Sequence, residues 1–593
     1  MEKWMVAAKK ADFEKWAKDL GIAPVVARII RNREITEEEQ ARKFLYGSLA
    51  DCYSPWLMRD MDKAVEAVQQ AIRQGARIRV IGDYDVDGIC AAYILKRGFS
   101  FLGAQVDAVI PHRIHDGYGL NDHLIETAQA DGVELIVTCD NGIAAAKQVE
   151  LANRLGMQVV VTDHHEVPYE VVQQANPDGD GEVRREILPP AVAVVDPKRV
   201  ECTYPFKGIC GGVVAFKLMQ ALTEGRDDAA GLREEFLEFA ALSTVCDVME
   251  LVDENRILVR EGLKRIQRGG NQGLRALLEV NALEPRAVSA YHLGFVIGPC
   301  LNATGRLDTA GRALELLCSE TKAEAMRAAG ELKELNDSRK NLTVRGVEEA
   351  EDYIERQRLS EDRVLVLFLP EVHESLAGII AGRIREQYNK PVIVLTRGEE
   401  GVKGSGRSIE TYSMYDELCK VKELFSKFGG HKMAAGLSLE ERNIETLRRR
   451  LNENCGLTED DLVPRIHIDV PMPIQYATEE LAGQLEQLEP FGVGNPKPLF
   501  AQKNVRFLSA SRMGAEGKCA RLRAQAEDGS ICQIVLFRDL EGFEALLAAK
   551  YGPDSVEKLY AGEGMYEISV TYQLQIHVYR GRREKQLIIQ NFC

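Results

Sequence analysis

Short apolar runs alternate with amphipathic stretches between residues 77 and 195. RIRVI (77–81), VDAVI (106–110), ELIVT (134–138), QVVVT (158–162) and AVAVV (191–195) read as buried strands. Between them, segments at about 89–101, 122–130 and 144–155 carry a helical apolar period, and such alternation predicts a parallel sheet of βαβ units. Residues 1 to about 75 read as helical. ITEEEQARKFLYG offers a capping-box start at Thr36 with Glu39 three residues on, ending near Gly47, and MDKAVEAVQQAIRQG (61–75) is a second amphipathic helix.

Glycine-punctuated helices follow over 205–300, and LREEFLEFAALSTVCDVMEL (232–251) reads as a helix carrying Asp247 among apolar neighbours. An acid in that setting needs a partner. From about 313 to 357 the chain has helical periodicity, many i,i+4 charge pairs and no proline, which predicts one or two long helices bridging lobes. A second α/β unit comes next: strand 364–369, helix about 375–388, strand 391–396, then the glycine-rich GVKGSGRS (401–408) and FGGHKMAAG (428–436). After about 465 short strands separated by turns predict a small barrel or sandwich.

A chain of 593 residues holds several domains of ordinary size, and its composition, 45% hydrophobic and 28% charged, is that of a globular protein. No apolar stretch approaches a membrane span, and the N-terminus lacks a signal-peptide core, so the expected location is cytoplasmic, away from membranes. Thirteen cysteines without any CxxC argue against a disulfide framework or a zinc knuckle. A net charge of −16 disfavours loose electrostatic binding to nucleic acid but leaves room for a local basic channel.

The chemistry sits after the strands. Asp83, Asp85 and Asp87 alternate along GDYDVDG after the first run, Asp140 follows the third, and Asp163-His164-His165 follows the fourth. Carboxylates crowded together without a cation repel and raise one another's pKa, so the pattern points to a divalent metal. In open α/β sheets such loops converge at the carboxyl ends of the strands. Oxygen ligands with one or two imidazoles suit Mn²⁺ or Mg²⁺, and one or two ions there could hold a phosphodiester and activate water. Taken alone, DxDxDG is also a turn or calcium loop, His-His is often polar surface, and Asp247 could be a capping acid.

Ser405-Gly406-Arg407 and Gly429-Gly430-His431-Lys432 could bring backbone N–H groups and cations to phosphates, though each alone is commonly a turn. No GxxxxGK[ST] loop is present, so ATP dependence is not indicated. In the last domain, Phe500, Phe507, Phe537, Tyr572, His577 and Tyr579 are interleaved with Arg506, Arg512, Arg521, Arg523, Arg580, Arg582, Arg583 and Lys585. Aromatic platforms in a basic groove suit single-strand binding, while any one of these aromatics is better read as barrel core.

These residues resemble the DHH phosphoesterase family, and within it the exonucleases specific for single-stranded DNA. The likeness runs through GDYDVDG (82–88), CDNGI (139–143), TDHHE (162–166), CDVMELVDENRILVREGL (246–263), GPCLNATGRLD (298–308), VHESLAGIIAGRI (372–384), GSGRSI (404–409), FGGHKMAAGLSL (428–439) and LEPFGVGNPKPLF (488–500). The resemblance implies an α/β fold: an N-terminal helical segment (1–75), a parallel-sheet DHH catalytic lobe (76–310), connecting helices (311–360), an α/β DHHA1 lobe (361–463) and a C-terminal β-barrel of OB type (464–593). By position it implies Asp83, Asp85, Asp87, Asp140, His164 and Asp247 as metal ligands. His165 completes the catalytic set just outside them or at the phosphate. Asn302, Arg306, Ser405, Arg407, Gly429, Gly430 and His431 are implied along the DNA. The family usually has Arg at Cys300 and Trp-His-Glu-Gly at Val372-His373-Glu374-Ser375. It further implies 5′-to-3′ hydrolysis of single-stranded DNA in recombination and repair, with a helicase and a single-strand-binding protein as partners. The rival readings are a DHH enzyme acting on short oligonucleotides, cyclic dinucleotides or pyrophosphate, and a non-catalytic single-strand-binding protein.

Overall fold

The computed structural model describes residues 2–112, 119–174, 181–398, 401–579 and 581–593. The predicted alternation produces a five-stranded, wholly parallel sheet. Its order across the sheet is Gln105–Val109, Arg77–Ile81, Leu135–Cys139, Gln158–Thr162 and Ala193–Val195. Strand order reverses beside Arg77–Ile81, since the chain goes first to one side of it and then to the other. All the acidic loops leave the same edge of this sheet.

The connecting region is two helices, a short Gly311–Leu317 and then Lys322–Arg356, 35 residues long. Thr321 and Glu324 form a reciprocal capping box at its start, satisfying N–H groups that would otherwise lack partners. Ala325, Ala329 and Leu332 enter the core of the first lobe, and Ala350 and Ile354 enter that of the second. One helix therefore belongs to two cores and fixes the distance between them.

The second lobe carries a five-stranded sheet in the order Phe425–His431, Ala434–Leu439, Gly401–Arg407, Val392–Gly398, Leu365–Phe368. Here the two glycine-rich segments, expected as phosphate loops, are antiparallel strands, with Ser405 and Gly429 both opposite Gly436. Alternate small residues let neighbouring strands pack closely. A side chain at Gly404 would collide with Leu395 and Leu437.

The C-terminal region closes into a barrel. Strands Phe500–Met513, Cys519–Gln525, Ile531–Leu536, Arg582–Phe592 and Tyr566–Tyr579 pair in turn, and the last returns to the first. Phe500, Phe507 and Tyr572 are fully buried barrel core rather than platforms. Phe537 and His577 are exposed; Arg580 and the side chain of Tyr579 lie outside the described residues. Three helices, Glu479–Glu486, Leu540–Tyr551 and Ser555–Ala561, lie within a region read as β-rich.

The N-terminal segment departs from its reading in two places. Lys3–Val6 is a strand paired in parallel with Arg465–Ile468, a partner more than 450 residues away that no local pattern reveals. The Thr36 capping box does not form: the helix begins at Glu38, after Glu37, and the Thr36 N–H is bonded to Gln40. Helices from this segment share one hydrophobic core with the barrel. Arg256 ties both to the catalytic lobe, its buried guanidinium donating to the carbonyls of Phe44, Gln487, Leu488, Glu489 and Pro490. Among the described residues, no helix is long and apolar enough to cross a membrane.

Candidate metal centre and inter-lobe cleft

Each acidic loop is shaped by local bonds before any ligand is considered. Asp85 caps the helix Val86–Phe101, its Oδ1 accepting from the N–H groups of Asp87 and Gly88 at 2.8 and 3.1 Å. Gly88 is required there, since a Cβ would lie 2.4 Å from the Asp83 nitrogen. Asp87 is buried in the first turn of the helix and accepts from Gly211 N, Gly212 N and the Ser243 hydroxyl. The first two are the opening N–H groups of the helix Gly211–Leu222, a natural seat for a carboxylate.

Asp140 follows its strand with φ +60°, a conformation that costs energy outside glycine and turns its carboxylate inward. Buried Asn141 holds the turn by donating to Ile81 O and Cys139 O. At Gly211 a Cβ would stand 2.6 Å from that of Asp140, so two loops meet only because one presents glycine.

Asp163, part of the motif, serves as an anchor. Its Oδ2 accepts from Ile143 N, and its Oδ1 accepts from His164 N and from His165 Nδ1 at 2.7 Å. His164 is buried, and its Nε2 lies 3.0 Å from Asp140, 3.5 Å from Asp87 and 3.7 Å from Asp247. Asp247 sits at the C-cap of the helix Ala230–Cys246. Asp83, Asp85 and Asp140 form an adjoining group whose ligand atoms lie within 4.8 Å of one another. The structure thus brings all seven predicted catalytic residues to one end of the sheet.

Electrostatics marks the cluster as unfinished. Burial, then the charges of Asp87, Asp85 and Asp83, pushes Asp140 well above the usual carboxylate range. Burial with Asp87 and Asp85 pushes Asp247 up to about 9. Burial holds His164 below its ordinary value. For His165 burial opposes protonation, but the hydrogen bond and charge of Asp163 outweigh it and raise the imidazole to about 9. The buried atoms His164 Nδ1 and Asp247 Oδ2 have no hydrogen-bond partner. Carboxylate oxygens, one imidazole and orphaned buried acceptors fit a divalent cation of the Mn²⁺ or Mg²⁺ type.

A second feature lies between the lobes. Arg306, Ser405 and Arg407 line one cavity of about 310 Å³, together with Tyr84, which stands between Asp83 and Asp85 in sequence. Arg306 donates to Ser375 O across the lobe boundary at 2.5 Å, and the Ser375 hydroxyl returns a bond to Arg306 O. Gly378 makes space for this arrangement: a Cβ there would be 2.7 Å from Arg407 Nη2 and 2.9 Å from Ser405 Oγ. Lys403 lines it as well, ion-paired at 2.9 Å with Glu374 of the same lining.

Four implied DNA residues do not join this cavity. Asn302 is outside its lining, and Gly429, Gly430 and His431 lie on the exposed edge strand, two strands from Ser405. Gly430 is needed for the strand itself, having φ +149° and Ala434 O within 2.3 Å of an added Cβ. Cys300 is buried in the core against Asn336, away from the cavity. Sequence reasoning gave no site role to Tyr84, Gly211, Gly212, Ser243, Ser375, Gly378 and Lys403, although Tyr84, Ser375, Gly378 and Lys403 stand inside the quoted motifs. Their roles are set by approach distances between segments far apart in the chain. For the others, the adjacent Gly211-Gly212 was the visible signal.

Comparison with known proteins gives three family matches: the DHH family, N-terminal domain, over residues 77–244; the DHHA1 domain over 361–456; and the RecJ OB domain over 468–591. The single-stranded-DNA-specific exonuclease RecJ of Escherichia coli is 34% identical over 592 residues, covering 96% of each chain. That of Bacillus subtilis is 33% identical over 97% of this chain and 68% of its own. Among solved structures, RecJ of Thermus thermophilus in complex with Mn²⁺ superposes with a TM-score of 0.79 at 27% identity, covering all of this chain and 79% of that one. An exonuclease RecJ bound to manganese matches 68% of this chain and 96% of its own, at 32% identity and a TM-score of 0.56.

Proposed function

The chain belongs to the RecJ exonucleases of the DHH family and is a metal-dependent exonuclease specific for single-stranded DNA; we propose that it works from the 5′ end with the residues assembled here. The observation that carries the site assignment is the convergence on His164 Nε2 of carboxylates from three separate segments, Asp87, Asp140 and Asp247. With Asp83 and Asp85 they would hold one or two Mn²⁺ or Mg²⁺ ions. When bound, such ions polarise the scissile phosphate and lower the pKa of the attacking water.

The remaining steps belong to the protein. Asp87 is held in place by two backbone N–H groups and Ser243, and Asp163 holds the ring of His165 through Nδ1. That bond orients the ring, whose Nε2 edge would meet a phosphate oxygen at the mouth of the cluster. Arg306, Ser405 and Arg407, a short way along the cleft beside Tyr84, would grip the 5′-terminal phosphate and set the length of the released product at one nucleotide. The bridge between Arg306 and Ser375 narrows this end of the cleft, which favours a single strand over duplex.

A cytoplasmic location agrees with thirteen free cysteines, and a helicase to open duplex and a single-strand-binding protein are the partner classes this activity calls for. The test is incubation of the protein and Mn²⁺ with 5′- and 3′-labelled single strands beside duplex. Mononucleotides released from the 5′-labelled end alone, with duplex intact, are expected. Release from the 3′ end would overturn the polarity, and preference for a dinucleotide would favour the short-oligonucleotide reading.

A further inference from the structure

Between the metal cluster and the proposed seat of the terminal phosphate stands an aromatic ring. Tyr84 lies in sequence between Asp83 and Asp85, is half-buried, and lines the inter-lobe cavity with Arg306, Ser405 and Arg407. Ile379 and Leu437 of the same lining are aliphatic. The root of the ring is held on two sides. A Cβ at Gly88 would lie 2.4 Å from both the nitrogen and the oxygen of Asp83, and one at Gly305 would lie 2.7 Å from the Tyr84 carbonyl oxygen and 3.7 Å from the Tyr84 Cβ. Gly305 precedes Arg306 on the helix Gly298–Leu307, so the packing that fixes the backbone of Tyr84 also fixes its distance from the phosphate grip. A ring rooted in this way does not step aside for a larger substrate.

A nucleotide reaches its two phosphates through C5′ and C3′ of its sugar, while the base hangs from C1′ to one side. A group standing between two phosphate seats therefore faces the sugar. With Arg306, Ser405 and Arg407 on the phosphate of C5′, the metal cluster takes the scissile phosphate on O3′. Tyr84 belongs to the loop that carries Asp83 and Asp85, so it flanks the C3′ side, and C2′ is the next carbon along. Deoxyribose presents a CH2 group there, which packs on a ring face at no polar cost. Ribose presents a hydroxyl, which adds bulk against a fixed ring and gives up water beside aliphatic neighbours.

We propose that Tyr84 is a sugar gate: its ring packs on C2′ of the terminal nucleotide and admits deoxyribose in preference to ribose. The inference rests on the exonuclease reading and adds to it a group by which DNA is told from RNA. The selection acts on one sugar, that of the nucleotide about to be released, and is blind to its base.

The test places a single ribonucleotide in a 5′-phosphorylated DNA strand, at either the first or the third position, and follows release of the first nucleotide. In the parent, the ribonucleotide at the first position should lower kcat/KM about tenfold or more, and at the third position should leave it unchanged. Tyr84→Ala should bring the first-position ratio close to one, whatever its absolute rate, and Tyr84→Phe should keep the ratio of the parent. Affinity for the same strands on the Asp140→Ala background, with and without Tyr84→Ala, reads the ratio without turnover, so a slow variant does not hide it. A first-position penalty that persists in Tyr84→Ala, one that Tyr84→Phe abolishes, or no penalty in the parent would overturn the gate. An abasic deoxyribose at the first position should be released like an ordinary nucleotide; a loss there that Tyr84→Ala removes would make the ring a base platform and overturn the gate as well. Failure of the parent to degrade the all-DNA strand would instead reject the exonuclease reading itself.

Discussion

Asp140 shows how a single residue can be wrong for stability and right for chemistry. Its backbone is strained, its carboxyl is buried, and its neighbours are acids that drive its pKa upward. Replacing it with Ala should abolish Mn²⁺-dependent hydrolysis while leaving the thermal midpoint of the metal-free protein equal or higher, because like-charge repulsion is relieved. Retained activity, or collapse of the fold, would contradict this. Glu238 is buried outside the site, accepting from Asn271 N and facing Arg265. Burial raises it from 4.5 to about 7. A raised carboxyl binds its proton more tightly when folded, so its stabilising effect is complete below pH 4.5 and falls away as pH rises to about 7. The window is worth about 3 kcal/mol. Denaturation of Glu238→Gln at pH 5 and pH 8 should show that part of the pH dependence removed. An unchanged difference between the two pH values would remove Glu238 as its source.

At the scale of elements, the strand-and-loop grammar was legible because buried parallel strands read as continuous apolar runs and their ligand loops follow directly. Strand ends fell within a residue or two of the predicted ones for Arg77–Ile81, Leu135–Cys139 and Gln158–Thr162. The glycine-rich segments of the second lobe were less legible, since glycine signals a turn locally but here serves close strand packing. The strand Lys3–Val6 was invisible for a different reason: its partner Arg465–Ile468 is supplied only by the assembled fold. Arg256 is the element-scale joint. Five carbonyl groups share its guanidinium, which also lies 3.9 Å over the Phe44 ring. Arg256→Met should cost roughly 3 kcal/mol or more by stranding buried acceptors, and should expose the 487–490 segment to limited proteolysis before the rest of the chain. Intact resistance at that segment would show the joint to be redundant.

On the scale of the whole molecule, one long helix sets the spacing of two lobes, and the cavity between them brings Arg306 from one together with Ser405 and Arg407 from the other, the side chains proposed to grip the terminal phosphate. Arg306 and Ser405 were visible as motif residues, but their meeting was not, because it depends on the length of Lys322–Arg356 and on Gly378 leaving space. The metal centre depends in the same way on a sheet that brings loops from residues 83, 140 and 163 to one edge, with Asp247 delivered by a helix end. The most direct measurement is anomalous diffraction from a crystal of this protein soaked in Mn²⁺. A peak enclosed by Asp87, Asp140, His164 and Asp247, lost in Asp140→Ala, is the result the fold predicts; a crystal diffracting equally well with that pocket empty would contradict it.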